Sequence, residues 1–149
     1  MKTVLLYASE HGKTRKVVAE VIKHLRVAPD VFDVKNISGQ EVLTQYDLLF
    51  IFCPTYGDEE LQDDMENFLR RFDLDLTGKH FAICELGNYY GYNDFSFGAM
   101  RIIRERLLEL HGEELCEPLS LDSMPKMSSD HLLRWVELVN SKLHEPIRP

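Results

Sequence analysis

The sequence predicts an α/β fold: a doubly wound, five-stranded parallel sheet in the order 2-1-3-4-5, with helices on both faces. Three observations carry this. Short apolar runs alternate with helix-period patterns from end to end, the signature of repeated strand–helix units. The second and fifth strand segments are the weakest, which suits the two edges of that order. Phe, Leu, Ile and Val together make up 46 of 149 residues, well above the roughly one fifth typical of disordered chains, so one domain can build a core. Right-handed crossovers restrict the remaining topologies.

Thr3 to Ala8 is a short apolar run, read as a buried strand. Gly12 to Val27 places Val17, Val18, Val21, Ile22 and Leu25 on one helical face. Val31 to Ile37 is a polar-interleaved strand. Tyr46 to Cys53 is the most apolar run and belongs at the centre. Met65, Phe68, Leu69 and Phe72 fall at i, i+3, i+4 and i+7, a helix face. Lys79 to Leu86 is the fourth strand. Met100, Ile103, Leu107 and Leu110 mark a long helix ending near Gly112. Leu115 to Leu121 is the fifth strand, and Pro118 inside it confines it to an edge, because proline donates no ladder hydrogen bond. Leu132, Val136, Val139 and Leu143 make a closing helix. No repeat, low-complexity tract or linker divides the chain, so residues 1–149 are expected to form a single domain.

Lys and Arg number 17 against 25 Asp and Glu, a net charge of −8. That balance argues against nucleic acid, whose phosphates are met by Lys and Arg, and against an anionic membrane surface. No apolar run approaches the ~20 residues of a membrane span. The apolar start, Val4-Leu5-Leu6-Tyr7, is too short for a signal peptide, and charged residues follow at once. Cys53, Cys84 and Cys116 are odd in number and widely spaced, which fits reduced thiols in or near a core better than disulfides or a zinc site. A cytoplasmic location is expected. The histidines at 11, 24, 80, 111, 131 and 144 form no ligand spacing, and no metal is expected. The charge is uneven: residues 1–27 carry +4 and the rest −12, with Asp58, Glu59, Glu60, Asp63, Asp64 and Glu66 in one short window.

In a doubly wound sheet the ligand lies beyond the carboxyl ends of the strands, near the switch point between strands 1 and 3. That rule points to residues 9–14, 54–62 and 87–96. In Ser9-Glu10-His11-Gly12-Lys13-Thr14, hydroxyls and helix N-terminal N–H groups suit a phosphate, and Gly12 allows close approach. Helix capping by Ser9 or Thr14 is the plain alternative. Gly12-Lys13-Thr14 is not the end of a nucleotide-triphosphate loop, because Tyr7 stands where that motif requires glycine, and there is no GxGxxG. In Pro54-Thr55-Tyr56-Gly57-Asp58, Tyr56 stands where a ring covers a planar ligand, or is simply an exposed turn residue. Gly87-Asn88-Tyr89-Tyr90-Gly91-Tyr92-Asn93-Asp94-Phe95 carries four aromatics: a platform for a flat ligand, or an aromatic cluster buried under a loop. A phosphate cradle beside stacking rings, without a pyrophosphate fingerprint, suits a flat heteroaromatic mononucleotide.

On these segments the chain resembles the flavodoxins over nearly its whole length. Their phosphate loop, S/T-x-T-G-x-T, is matched by Ser9, Gly12 and Thr14, with His11 for the usual Thr and a basic Lys13. Their P-T-W-x-x-G-E-L-Q-x-D segment is matched by Pro54, Thr55, Glu60, Leu61, Gln62 and Asp64. Tyr56 is in the stacking position, Glu59 replaces the glycine, and Gly57-Asp58-Glu59 is similar to a Gly-Asp-Glu variant. Gly87-Asn88 stands for Gly-Asp, and Tyr92 has the spacing of the stacking tyrosine, with Tyr89 and Tyr90 as rivals. Phe97-Gly98-Ala99 is similar to the family's Cys-Gly-Ala. The fifth strand lacks the long insertion of long-chain members, so the resemblance is to the short-chain type.

The resemblance implies an FMN cofactor held by Ser9, Glu10, His11, Gly12, Lys13, Thr14, Pro54, Thr55, Tyr56, Gly57, Asp58, Leu86, Gly87, Asn88, Tyr89, Tyr92 and Phe95. It implies a monomeric, non-enzymatic electron carrier of low potential, shuttling single electrons between a reductase and an acceptor. The 58–66 window is then a docking face for a basic redox partner, or else a solvated face whose Asp63 and Asp64 complement a helix N-terminus. Two other functions stand beside this. One is a flavodoxin-like FMN or quinone reductase with a nicotinamide donor, for which the chain has no extra segment. The other is a flavin-free interaction module, suggested by His11, Lys13, Glu59 and Asn88.

Overall fold

Alternation along three apolar strands decides the architecture. In β1 (Thr3–Tyr7), β3 (Leu48–Thr55) and β4 (His80–Gly87), successive side chains point to opposite faces of one sheet, and both faces are apolar. One face takes Leu6, Leu49, Ile51, Phe81 and Ile83. The other takes Leu5, Phe50, Phe52, Ala82 and Cys84. The computed structural model describes residues 1–9, 12–55, 62–87, 98–122 and 129–144. Helices α2 (Asp63–Arg71) and α3 (Gly98–Glu109) cover the first face with Met65, Phe68, Leu69, Ile103 and Leu107. Helices α1 (Lys13–His24) and α4 (Ser129–His144) cover the second with Val17, Val21, Trp135 and Val139. Trp135 presents its ring edge-on to Phe50 and Phe52, with centroids 6.5 and 5.9 Å apart, and its indole N–H donates to the Glu117 carbonyl at 2.9 Å.

All strand pairs are parallel, in the order β2-β1-β3-β4-β5, with a sixth strand also on β4. The sixth strand corrects the expectation of five. The fifth strand is in two pieces, β5 (Glu113–Glu114) opposite His80 and Phe81, and β6 (Leu119–Asp122) opposite Cys84 to Gly87. Residues 115–118 bulge past two residues of β4. Pro118 explains the break, having no N–H for the ladder.

The second strand is also shorter than expected. β2 is Asp30–Asp33, and Val34–Asn36 turns away as a 3₁₀ helix. Asp33 causes this locally: its carboxylate accepts the Lys35 N–H at 3.1 Å, an Asx-type bond that competes with the ladder. Gln40–Gln45 forms a second 3₁₀ helix. Helix α3 ends at Glu109, and its C-cap turn runs on to Gly112, near the end the sequence predicts. His111 takes φ 75, its N–H bonds Leu108 O at 3.0 Å, and the Gly112 N–H bonds Leu107 O at 3.0 Å, a Schellman motif. Gly112 is required for a different reason: a Cβ there would stand 3.1 Å from both Leu107 O and the Phe81 ring.

Candidate functional site

The carboxyl ends of β1, β3 and β4 lie along one rim, but not level. Thr55, Gly87 and Asp122 are in register at the ends of β3, β4 and β6. Tyr7, the last residue of β1, pairs with Phe52, so β3 runs three residues further, about 10 Å. That step places the first loop and the start of α1 below the rim.

The loop is organised by Ser9, whose half-buried hydroxyl accepts the Gly12 N–H at 3.1 Å. Gly12 then takes the left-handed conformation, φ 79 and ψ −4, with nothing among the described residues within 4 Å of the position a Cβ would occupy. Neither hydroxyl caps the helix: α1 has no side-chain cap and no acidic residue in its first turn. Thr14 is buried at 2% exposure, while Lys13, Arg15 and Lys16 are exposed. A helix N-terminus with cationic neighbours and no acidic residue in its first turn is complementary to an anion.

Beyond β3, Pro54 is half-buried and the Cys53 thiol is fully buried. Burial pushes that thiol far up. The Gln62 backbone N–H, which it accepts, opposes the shift, and the nearby Glu85 charge adds to it. The thiol in turn donates to Pro54 O at 3.4 Å. Gln62, 1% exposed, caps α2: its side-chain oxygen accepts the Met65 N–H at 3.0 Å and its amide donates to Asp64 at 3.1 Å. Asp63, Asp64 and Glu66 fill the first turn of α2, and Glu66 pairs with Arg70 at 2.7 Å. At the end of β4, Leu86 is packed in the α1/α4 core and Gly87 is buried. Glu10, His11, Tyr56, Gly57, Asp58, Asn88, Tyr89, Tyr90, Tyr92 and Phe95 lie outside the described residues.

Sequence reasoning missed Glu85, which is fully buried at the end of β4; its signal was a lone charge inside the apolar run Phe81 to Leu86. Among the described residues no His, Cys, Asp and Glu cluster has the makings of a metal site, and no helix is long and apolar enough to cross a membrane. A cavity of about 240 Å³ lies between residues 37–40 and α2, away from the strand ends. In doubly wound sheets ligands lie at the carboxyl ends of the strands, not in such a lateral hollow.

A flavodoxin family profile matches residues 5–135. The chain belongs to the flavodoxin family. It is 36% identical to the flavodoxin of Synechocystis sp. over 115 residues, which cover 75% of this chain and 67% of that one. Among solved structures, oxidised flavodoxin 1 of Bacillus cereus superposes with a TM-score of 0.78 at 24% identity, covering 98% of this chain and 99% of that one. Fusobacterium nucleatum flavodoxin, solved bound to flavin mononucleotide, superposes with a TM-score of 0.72 at 21% identity, covering 97% and 96%.

Proposed function

We propose that this flavodoxin carries single electrons at low potential on a bound FMN, passing them between a reductase and an acceptor protein. The observation that supports the reading is the α1 N-terminus, where Gly12 at φ 79 has nothing among the described residues within 4 Å of its Cβ position and makes no side-chain cap bond. Ser9, Gly12 and Thr14 would shape the phosphate cradle, Lys13 adding charge, with Glu10 and His11 completing the loop. Pro54, Thr55, Gly57 and Asp58 on one side, and Leu86, Gly87, Asn88, Tyr89 and Phe95 on the other, would enclose the ring. Tyr56 and Tyr92 would stack on its two faces, each contributing ~0.5–1.5 kcal/mol beyond buried area.

When bound, FMN supplies the one-electron chemistry; the chain supplies position, exclusion of water and field. Carboxylates around the ring disfavour accumulation of negative charge and so lower the potential. The 58–66 window would dock a basic redox partner. Buried Cys53 and Cys84, free thiols, suit a reducing cytoplasm. The family match favours neither the nicotinamide-dependent reductase nor the flavin-free module.

Titration of the apoprotein with FMN and riboflavin, followed by stepwise reduction, tests the proposal. One FMN bound per chain, in preference to riboflavin, and reduced in two separate one-electron steps, is the expected result. A protein that binds no FMN refutes it. Oxidation of a nicotinamide without added reductase would establish the reductase instead.

A further inference from the structure

Helix α1 carries Lys13, Arg15, Lys16 and Lys23 against a single acid, Glu20, within a chain of net charge −8. Its inner face is Thr14, Val17, Val18 and Val21, all buried. Opposite them Arg15, Ala19 and Ile22 follow one another at i, i+4 and i+7, with Lys16 and Lys23 on one flank, and all five are exposed. Ile22 keeps 37% exposure, so the helix does not bury it with the valines as the sequence suggests. Glu20 meets Lys23 at 3.5 Å and His24 at 3.3 Å. Among the described residues Arg15 and Lys16 have no acidic partner. Helix stability does not account for these two. Lys23 and His24 lie in the last turn, where the helix dipole favours positive charge. Arg15 and Lys16 lie in the first turn, where the dipole opposes it and no acid offsets them.

We propose that the exposed face of α1 from Arg15 to Lys23 is a docking surface for a short acidic segment of a partner protein. Charge complementarity selects that occupant. Residues 1–27 carry +4 and the rest of the chain −12. The sheet separates the two signs: Asp63, Asp64 and Glu66 begin α2 on one face, and α1 lies on the other. At the usual helix rise the stripe is about 12 Å long, the reach of a few side chains. A charged membrane or a nucleic acid strand extends well beyond it. Either would come within a Debye length, ~8–10 Å, of the acidic remainder of the chain and be repelled. A short acidic segment meets the stripe alone. Its carboxylates would pair with Arg15, Lys16 and Lys23, and the arginine fork suits a carboxylate in two-point contact. Ala19 and Ile22 supply apolar contact between the charges. The inference goes beyond the FMN reading and does not depend on it.

The test is a titration of the isotope-labelled full chain, with FMN added, against hexaglutamate at low and high salt, followed by amide NMR shifts. Phosphatidylglycerol vesicles and single-stranded oligothymidylate are the comparison probes. The expected result is saturable, salt-sensitive shifts at Arg15, Lys16, Ala19, Ile22 and Lys23. Affinity for hexaglutamate should fall about tenfold in Arg15→Gln/Lys16→Gln and return in the charge-retaining Arg15→Lys/Lys16→Arg. The Gln variant should melt no lower than wild type, since the dipole no longer opposes it, and should bind FMN as wild type does. Shifts absent from α1, or equal affinity in wild type and the Gln variant, would overturn the inference. So would tighter binding of the vesicles or the oligonucleotide. Concentration-dependent shifts of α1 without peptide would make a second copy of the chain the occupant and overturn it too. A lower Tm in the Gln variant would assign the two cations to the fold. Loss of FMN with peptide binding intact would assign them to the cofactor. Either result overturns the docking role.

Discussion

Gly12→Ala separates the conformational role of this residue from its part in the site. The backbone there is left-handed at φ 79, a region that costs an L-residue roughly 1–2 kcal/mol. No described residue adds a steric term to this, because none lies within 4 Å of the new Cβ. The fold should therefore lose about 1 kcal/mol, a fall in Tm of ~2–4 °C for a chain of this size. The effect on FMN should be larger. The methyl group enters the open space before the first N–H groups of α1, where the phosphate is proposed to sit. Losing one hydrogen bond to a charged group costs ~1.5–3 kcal/mol, which is a roughly ten- to hundredfold rise in Kd. Riboflavin has no phosphate and should bind the variant about as well as wild type. The assay is flavin fluorescence quenching with both ligands on both apoproteins, alongside thermal melts. Equal loss of FMN and riboflavin would show that the methyl acts only through folding. An unchanged FMN affinity would refute the placement of the phosphate at α1.

Two further predictions concern stability. His111 occupies the left-handed position of the α3 C-cap at φ 75, where glycine is favoured, so His111→Gly should stabilise the fold by about 0.5–1 kcal/mol. The exposed His111–Asp75 contact at 3.4 Å offsets little of this. A urea midpoint that rises at constant m-value is the expected result, and a lower midpoint would refute it. Tyr46 supplies a pH dependence. Burial first, then the hydrogen bond to Asp30 at 2.6 Å and the Asp30 charge, push its phenol up to about 12. The native state then holds a proton that the unfolded chain releases near pH 10, so stability falls as pH rises from about 10 to 12, by ~2–3 kcal/mol. The buried thiols of Cys53 and Cys84, also raised, start the decline earlier. The Tyr46 step is therefore the difference between wild type and Tyr46→Phe in urea unfolding across pH 8–12. A flat difference would refute it.

Periodicity was enough to place β1, β3, β4 and all four helices, because their apolar side chains repeat at 2 or 3.6 residues and tertiary packing agrees with local pattern. It failed where a single side chain redirects the backbone. Asp33 looks like one polar residue in a strand, yet its bond to the Lys35 N–H ends β2 there. Pro118 gave the correct edge but not the break it causes, since the pairing on both sides depends on β4. At the start of α1, the sequence left capping and cradle open for Ser9 and Thr14, and the geometry shows that the N-cap is Gly12, with no side-chain cap bond. The Ser9 hydroxyl accepts the Gly12 N–H. The burial of Glu85 went unread because it depends on the β3–β4 register, which no local pattern encodes.

The acidic window divides into two parts that charge changes should tell apart. Asp63, Asp64 and Glu66 occupy the first turn of α2, where carboxylates are stabilised by the helix dipole by ~0.3–1 kcal/mol each. Asp64 also accepts from the capping Gln62, and Glu66 pairs with Arg70. These three acids have a structural reason to exist whether or not a partner binds. Asp58, Glu59 and Glu60 precede the Gln62 cap in sequence and lie outside the described residues. If the window docks a basic partner, their charge should act mainly on encounter rate. Asp58→Asn/Glu59→Gln/Glu60→Gln should then slow electron transfer to a basic acceptor at low salt and flatten its decline with ionic strength. It should leave Tm nearly unchanged. Asp63→Asn should do the reverse, lowering Tm by a few degrees with a smaller effect on rate. Stopped-flow rates between low and high salt, with melts of the same proteins, decide it. A triple variant with wild-type salt dependence would reduce the window to helix capping and solvation, and the partner would have to be sought on another face.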